Sequence, residues 1–111
     1  MNRRRFSAGL SAALLASPRA RAQAWPDRPV NLILSQPPGS GPDNIARLLA
    51  DRLASQWGKP VVILNKPGGQ NVIGAQAAAR SVPDGYSFYF ATTAALVSNV
   101  YLFKQLPYDP V

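Results

Sequence analysis

The sequence contains no cysteine, no histidine and no glutamate. Without cysteine the chain is held by its core alone, and a thiol nucleophile is excluded. Without histidine there is neither a Ser-His pair nor the usual imidazole ligand for zinc. The five acids are all aspartates, at Asp27, Asp43, Asp51, Asp84 and Asp109, too dispersed to form an evident acid/base pair. Long apolar runs are missing too. The longest small and apolar stretch, residues 8–16, falls well short of the ~20 residues a membrane-spanning helix needs. Binding therefore fits this composition better than catalysis, and no cofactor is expected.

The first residues are cationic. Arg3, Arg4 and Arg5 precede the stretch 8–16, and small residues follow in two cleavage frames, ending at Ala22 or at Ala24. This three-part layout is that of a signal peptide over residues 1–24, which places the remainder outside the cytoplasm. Arg3-Arg4-Arg5-Phe6 fits a twin-arginine pattern as well as a general secretory one, so the route stays open.

Removing that segment alters the charge argument. The chain carries +7 in all, but five of its twelve basic residues lie at 3, 4, 5, 19 and 21. Residues 25–111 hold the other seven against all five aspartates, a net +2. Those seven are scattered rather than clustered on one stretch, so the chain offers no nucleic-acid footprint.

The rest of the chain alternates strand and helix signals. Val30–Ser35 is an apolar run of strand length, and residues 36–41 (QPPGSG) form a Pro/Gly loop. Pro42 suits the first turn of a helix, with Gly41 as its N-cap. Ile45, Leu48, Leu49 and Leu53 then recur at helical spacing and predict the buried stripe. Gly58, with Pro60 behind it, predicts the stop. Val61–Leu64 reads as a second buried strand, 65–71 as a second glycine loop, and Val72–Arg80 as an alanine-rich helix. After the turn Pro83-Asp84-Gly85, Tyr86–Ala91 is an aromatic strand expected in the core. A short helix follows over Ala94–Tyr101, and residues 104–111 read as a connecting loop.

This order predicts an α/β fold, the β-α-β-α-β start of a parallel sheet. Ligands of such sheets bind beyond the carboxyl ends of the strands, where loops 36–42, 65–71 and 92–94 emerge. A backbone of free N–H groups at a helix start can hold a carboxylate or phosphate without arginine. A dinucleotide site does not fit: the fingerprint starting at Gly39 meets Asn44 where its third glycine belongs. Asn65 and Lys66 stand where the ribose-binding acid belongs. The bland alternatives are a tight βα turn for the first loop, dipole stabilisation for Asp43 and helix capping for Thr92 and Thr93. Trp25 and Trp57 read as packing residues.

Five segments in order carry a resemblance: 25–30 (WPDRPV), 37–43 (PPGSGPD), 65–68 (NKPG), 83–86 (PDGY) and 106–110 (LPYDP). Together they resemble the Bug family of solute receptors of tripartite tricarboxylate transporters. The resemblance implies a domain of the type II periplasmic-binding-protein kind, of which residues 25–111 would be the incomplete N-terminal portion. It implies a small organic carboxylate as ligand and membrane permease subunits as partners, with no catalysis and no cofactor. Gln36, Pro38, Gly39, Ser40, Gly41 and Asp43 would form the proximal ligand loop, with Gly69, Asn71, Thr92 and Thr93 as secondary contacts. The sequence departs from the family pattern at Ser40 and Pro42, where Gly and Thr are usual, and Pro42 removes one backbone donor. Val72 holds the usual Asn position, with Asn71 beside it. Family members run to roughly three hundred residues, so a truncated product is expected. The alternative is an exported fragment that is non-functional or acts only by interaction, without a small-molecule site.

Overall fold

A computed structural model describes residues 24–110. The expected signal segment and its two cleavage frames lie almost wholly outside these residues. Within them the elements run β1 (Val30–Leu34), α1 (Gly41–Trp57), β2 (Val61–Asn65), a one-turn 3-10 helix (Gly69–Asn71), α2 (Val72–Ala79) and β3 (Ser87–Phe90). A π-helical turn (Ala94–Ser98) and a four-residue helix α3 (Asn99–Leu102) complete them. Both strand pairs are parallel and the sheet order is β2-β1-β3. Leu32 lies between Ile63 and Phe88, and Leu34 between Asn65 and Phe90.

The central strand carries the core. Val30, Leu32, Ile33 and Leu34 are all buried, as a strand covered on both faces requires. Alternation sends Leu32 and Leu34 to one face, where they meet Ala46 of α1 together with Val61, Ile63 and Phe90. Ser35 continues the opposite row, and Gly74 of α2 presses against it. The two helices thus cover opposite faces, and the chain reverses its direction across the sheet around β1.

Three expectations are corrected. The N-cap of α1 is Ser40, not Gly41: its backbone is extended (φ −70°, ψ 162°) and its Oγ accepts the Asp43 N–H. The predicted stripe on α1 is not the buried one. Ile45 and Leu48 are 60% and 69% exposed, whereas Asp43, Ala46 and Ala50 are buried. Asp43, Ala46, Arg47 and Ala50 follow the same i, i+3, i+4, i+7 spacing, so two stripes competed, and the one with small residues sits closest to the sheet. Finally, β2 and β3 flank the centre and are only half-buried: Val62 is 40% exposed and Phe88 45%.

The helix stop is where the sequence placed it. Gly58 adopts φ 66°, a left-handed cap, and its N–H donates to Ala54 O at 2.9 Å. At the amino end of the sheet, Trp25 packs edge-on against Trp57, with ring centroids 4.9 Å apart. The Arg28 guanidinium lies 4.1 Å from the centroid of Tyr86 and pairs with Asp84 at 2.7 Å. Tyr86 OH donates to Asp27 Oδ1 at 2.6 Å, which holds the Asp27 carboxyl below its ordinary range. These contacts fasten the entry segment far from the loops discussed next.

Candidate binding site at the carboxyl end of the sheet

Loop 36–40 leaves β1 and must turn at once into α1. Gly39, at φ 82°, supplies the left-handed step that a β-carbon would resist. Ser40 N–H and Ser40 OH both bond Pro37 O, at 3.3 and 2.7 Å. The Asp43 side chain then folds back beneath the loop. Its Oδ2 accepts Gly39 N–H at 2.8 Å, an arrangement close to a capping box. The same oxygen accepts Arg47 Nε at 2.8 Å, and Oδ1 accepts Asn65 Nδ2 at 2.8 Å.

Asp43 is 1% exposed and fully partnered. The Arg47 hydrogen bond, then those from Asn65 and Gly39, lowers its pKa to about 2, since each donor favours the ionised form. Asp43 in turn raises Arg47 above the ordinary guanidinium value. A buried negative charge is thus balanced by one cation and two neutral donors, the condition under which such a charge is tolerated.

The second loop is conformationally costly. Gly68, Gly69, Gln70 and Asn71 all have positive φ, at 116°, 56°, 52° and 73°. For Gln70 and Asn71 this region costs about 1–2 kcal/mol each, so the surroundings must over-determine it. They do. Asn71 N–H donates to Gly68 O at 3.1 Å, and Ser35 Oγ donates to Asn71 O at 3.2 Å. Gln36 Nε2 donates to Asn71 Oδ1 at 2.9 Å, and Asn99 Nδ2 donates to Gln70 O at 2.9 Å. Ser35 Oγ also lies 2.5 Å from Tyr89 OH, and burial of Tyr89 pushes its phenol pKa up.

The third loop joins this assembly less directly. Thr92 Oγ1 accepts Ala95 N–H at 3.2 Å and so caps its own turn, as the plain capping reading expected. Thr93 is exposed, and no hydrogen bond joins it to the first two loops among the described residues. The connection runs instead through Asn99, which is 1% exposed, and Tyr108, whose OH donates to Ala95 O at 2.6 Å.

Of the residues singled out in the sequence, the fold joins Gln36 to Asn71 and Gly39 and Ser40 to Asp43. Pro38, Gly39, Gly41 and Gly69 are exposed at the same end of the sheet. Asn65, Arg47, Ser35 and Asn99 were not anticipated as members. Arg47 could have been found from its i+4 spacing to Asp43. Asn65 ends a strand beside the first loop, which was noted only for the acid it replaces. Nothing in the sequence marks Asn99.

Residues 45–111 match the family described as the tripartite tricarboxylate transporter family receptor. A UPF0065 protein of Bordetella bronchiseptica is 41% identical over 95 residues, which are 86% of this chain and 28% of that relative. The chain therefore spans less than a third of the length of the curated relative it matches. Among solved structures, periplasmic binding protein BugD is 42% identical over 59% of this chain and 22% of its own, with a TM-score of 0.56. An R. palustris protein solved with adipate gives 35% identity and a TM-score of 0.74, over 78% of this chain and 29% of its own. MatC of Rhodopseudomonas palustris, solved with bound malate, gives 29% and 0.72 over the same shares.

Proposed function

The chain belongs to the tripartite tricarboxylate transporter receptor family, and from that premise we propose that it forms the proximal ligand loops of a periplasmic receptor for a small organic carboxylate. Residues 25–111 are the N-terminal portion of the first ligand-binding domain in this reading, and residues 1–24 are the export signal. The receptor delivers its ligand to membrane permease subunits. Its chemistry is reversible binding, with no covalent step and no cofactor.

The observation that carries this reading is the convergence of the loops after β1 and β2 around the Gln36–Asn71 amide pair. Their bond uses one donor and one acceptor, so Gln36 Oε1 and Asn71 Nδ2 face outward with hydrogen-bonding capacity left. Gly41 N–H, at the start of α1, is a further donor beside them. A carboxylate needs such convergent donors and gains from the helix N-terminus. The relatives solved with adipate and with malate support the ligand class. Thr92, Thr93 and Gly69 are placed as outer contacts.

The test is titration of the chain with adipate and with malate, followed by amide NMR. Ligand-dependent shifts at Gly41 and Asn71 support the site. Shifts confined to other regions move the site elsewhere, and no response to either acid favours the interaction-only fragment.

A further inference from the structure

We propose that Asn65 is the positioning residue of the first ligand loop, a latch that fixes loop 36–41 to the end of β2 without touching the ligand. The proposal rests on the carboxylate-receptor reading for its functional consequence, but the latch itself is a property of the fold.

The geometry is specific. Asn65 Nδ2 carries two protons, and both are committed: one to Gln36 O at 2.9 Å, the other to Asp43 Oδ1 at 2.8 Å. The first bond holds the start of the loop. The second holds Asp43, whose other oxygen holds Gly39 N–H near the loop's apex. One amide therefore fixes the loop at both ends. Asn65 Oδ1 faces the Arg47 guanidinium, with Nη2 3.5 Å away, so the amide orientation is set by its neighbours as well.

Arg47 cannot perform this task. It sits one turn along the same helix as Asp43 and ties that helix only to itself through the ion pair. Asn65 comes from β2, so it alone joins the helix start and the loop to the sheet through side-chain bonds of this cluster. The latch also reassigns Asp43. A carboxylate 1% exposed, carrying three hydrogen bonds, is not offered to an anionic ligand, which it would repel. Its work is internal, with Asn65.

The consequence is preorganisation. A loop containing three prolines and two glycines between 37 and 42 has many near-equivalent shapes. Each donor of the loop aims at a ligand only in some of them. A latch that selects one shape before the ligand arrives removes an ordering cost from binding. Asn, not Asp, is required, because two protons must be donated. A carboxylate there would donate none and would face the Asp43 charge.

The experiment is amide hydrogen exchange by NMR on the full chain, comparing wild type, Asn65→Ala and Asn65→Asp. Gly39 N–H reports the latch. Lys66 N–H, bonded to Leu34 O at 2.7 Å, and Asn31 N–H, bonded to Tyr86 O at 2.8 Å, report the sheet. Expected is exchange at Gly39 faster by about tenfold or more in both variants, with Lys66 and Asn31 changed by less than about threefold. Asn65→Asp matters because it preserves size, so a space-filling role would leave Gly39 protected. Protection retained in Asn65→Asp overturns the proposal. So does equal loss at all three amides, or a wild-type Gly39 that is already unprotected. Adipate and malate are then added to each protein. Shifts at Gly41 in wild type that weaken about fivefold or more in both variants complete the case. No shift in wild type, with Gly39 latched, refutes the carboxylate reading and leaves the latch standing.

Discussion

Gly74 of α2 lies directly against Ser35 at the end of β1, and a Cβ placed on Gly74 would sit 2.9 Å from Ser35 Cα. The backbone on the far side cannot yield as a flexible side chain would. Ser35 is also committed in two further directions, to Asn71 O and to Tyr89 OH. Helix α2, strand β1 and the second loop therefore meet at one point with no slack.

Gly74→Ala should accordingly destabilise the chain even though alanine is the better helix former. Helix propensity favours the substitution by up to about 1 kcal/mol, and overpacking opposes it by about 1–3 kcal/mol. The expected net is a loss, read as a lower midpoint in urea. A higher midpoint would mean that α2 can retreat from the sheet, and that the Ser35 contacts are not limiting.

Asp43 predicts an acid transition. Its folded pKa of about 2 lies below its ordinary value of 3.8, so between these values the unfolded chain binds more protons than the folded one. Its stabilising contribution is then complete above pH 3.8 and falls away as pH drops towards 2. Unfolding curves recorded between pH 6 and pH 2 should show this slope in wild type. In Asp43→Asn the slope should flatten, with lower stability at neutral pH, because the amide accepts fewer bonds and leaves Arg47 unpaired.

Where the sequence was legible, the signal was a local one that packing had no reason to override. The runs at 30–34 and 61–65, Gly58 as helix stop and the strand order of an α/β unit are of this kind. Helix α1 shows the opposite. Its leucines at 48, 49 and 53 have the stronger hydrophobic period, yet Ala46 and Ala50 lie on the sheet. The rotation of the helix is set at its two ends, by Asp43 bonding Asn65 and by Trp57 packing on Trp25. Neither contact is visible to a pattern read along one helix. The same holds at the candidate site. The glycine loops announced themselves, whereas Asn65 and Asn99 act across 22 and 29 residues of chain.

Asn99 should be expensive to remove. It is 1% exposed, donates to Gln70 O and lies 3.4 Å from Tyr108 OH. Asn99→Ala leaves a carbonyl in the second loop without its donor, a loss of about 1–3 kcal/mol. The effect should be local as well as global. Proteolytic nicking near Gln70 ought to accelerate more than the shift in overall stability accounts for, since the left-handed run loses one of its restraints. Equal protection of that loop in the variant would show that Ser35 and Gln36 suffice to hold it.

Asn71 allows structure and binding to be separated within one residue. Its φ of 73° and ψ of 1° are accessible to glycine without penalty, whereas alanine incurs the left-handed cost of about 1–2 kcal/mol. Asn71→Gly and Asn71→Ala both delete the amide that bonds Gln36. If Asn71 serves only the turn, glycine should preserve both stability and affinity, and alanine should lower stability alone. If its amide serves the ligand, glycine should keep stability within about 1 kcal/mol of wild type while affinity for adipate or malate falls about tenfold, the worth of one well-made hydrogen bond. The second pattern is the expected one. Calorimetric titration of the glycine variant beside its urea unfolding curve decides between them, because only the ligand role predicts an affinity loss without a matching loss of stability.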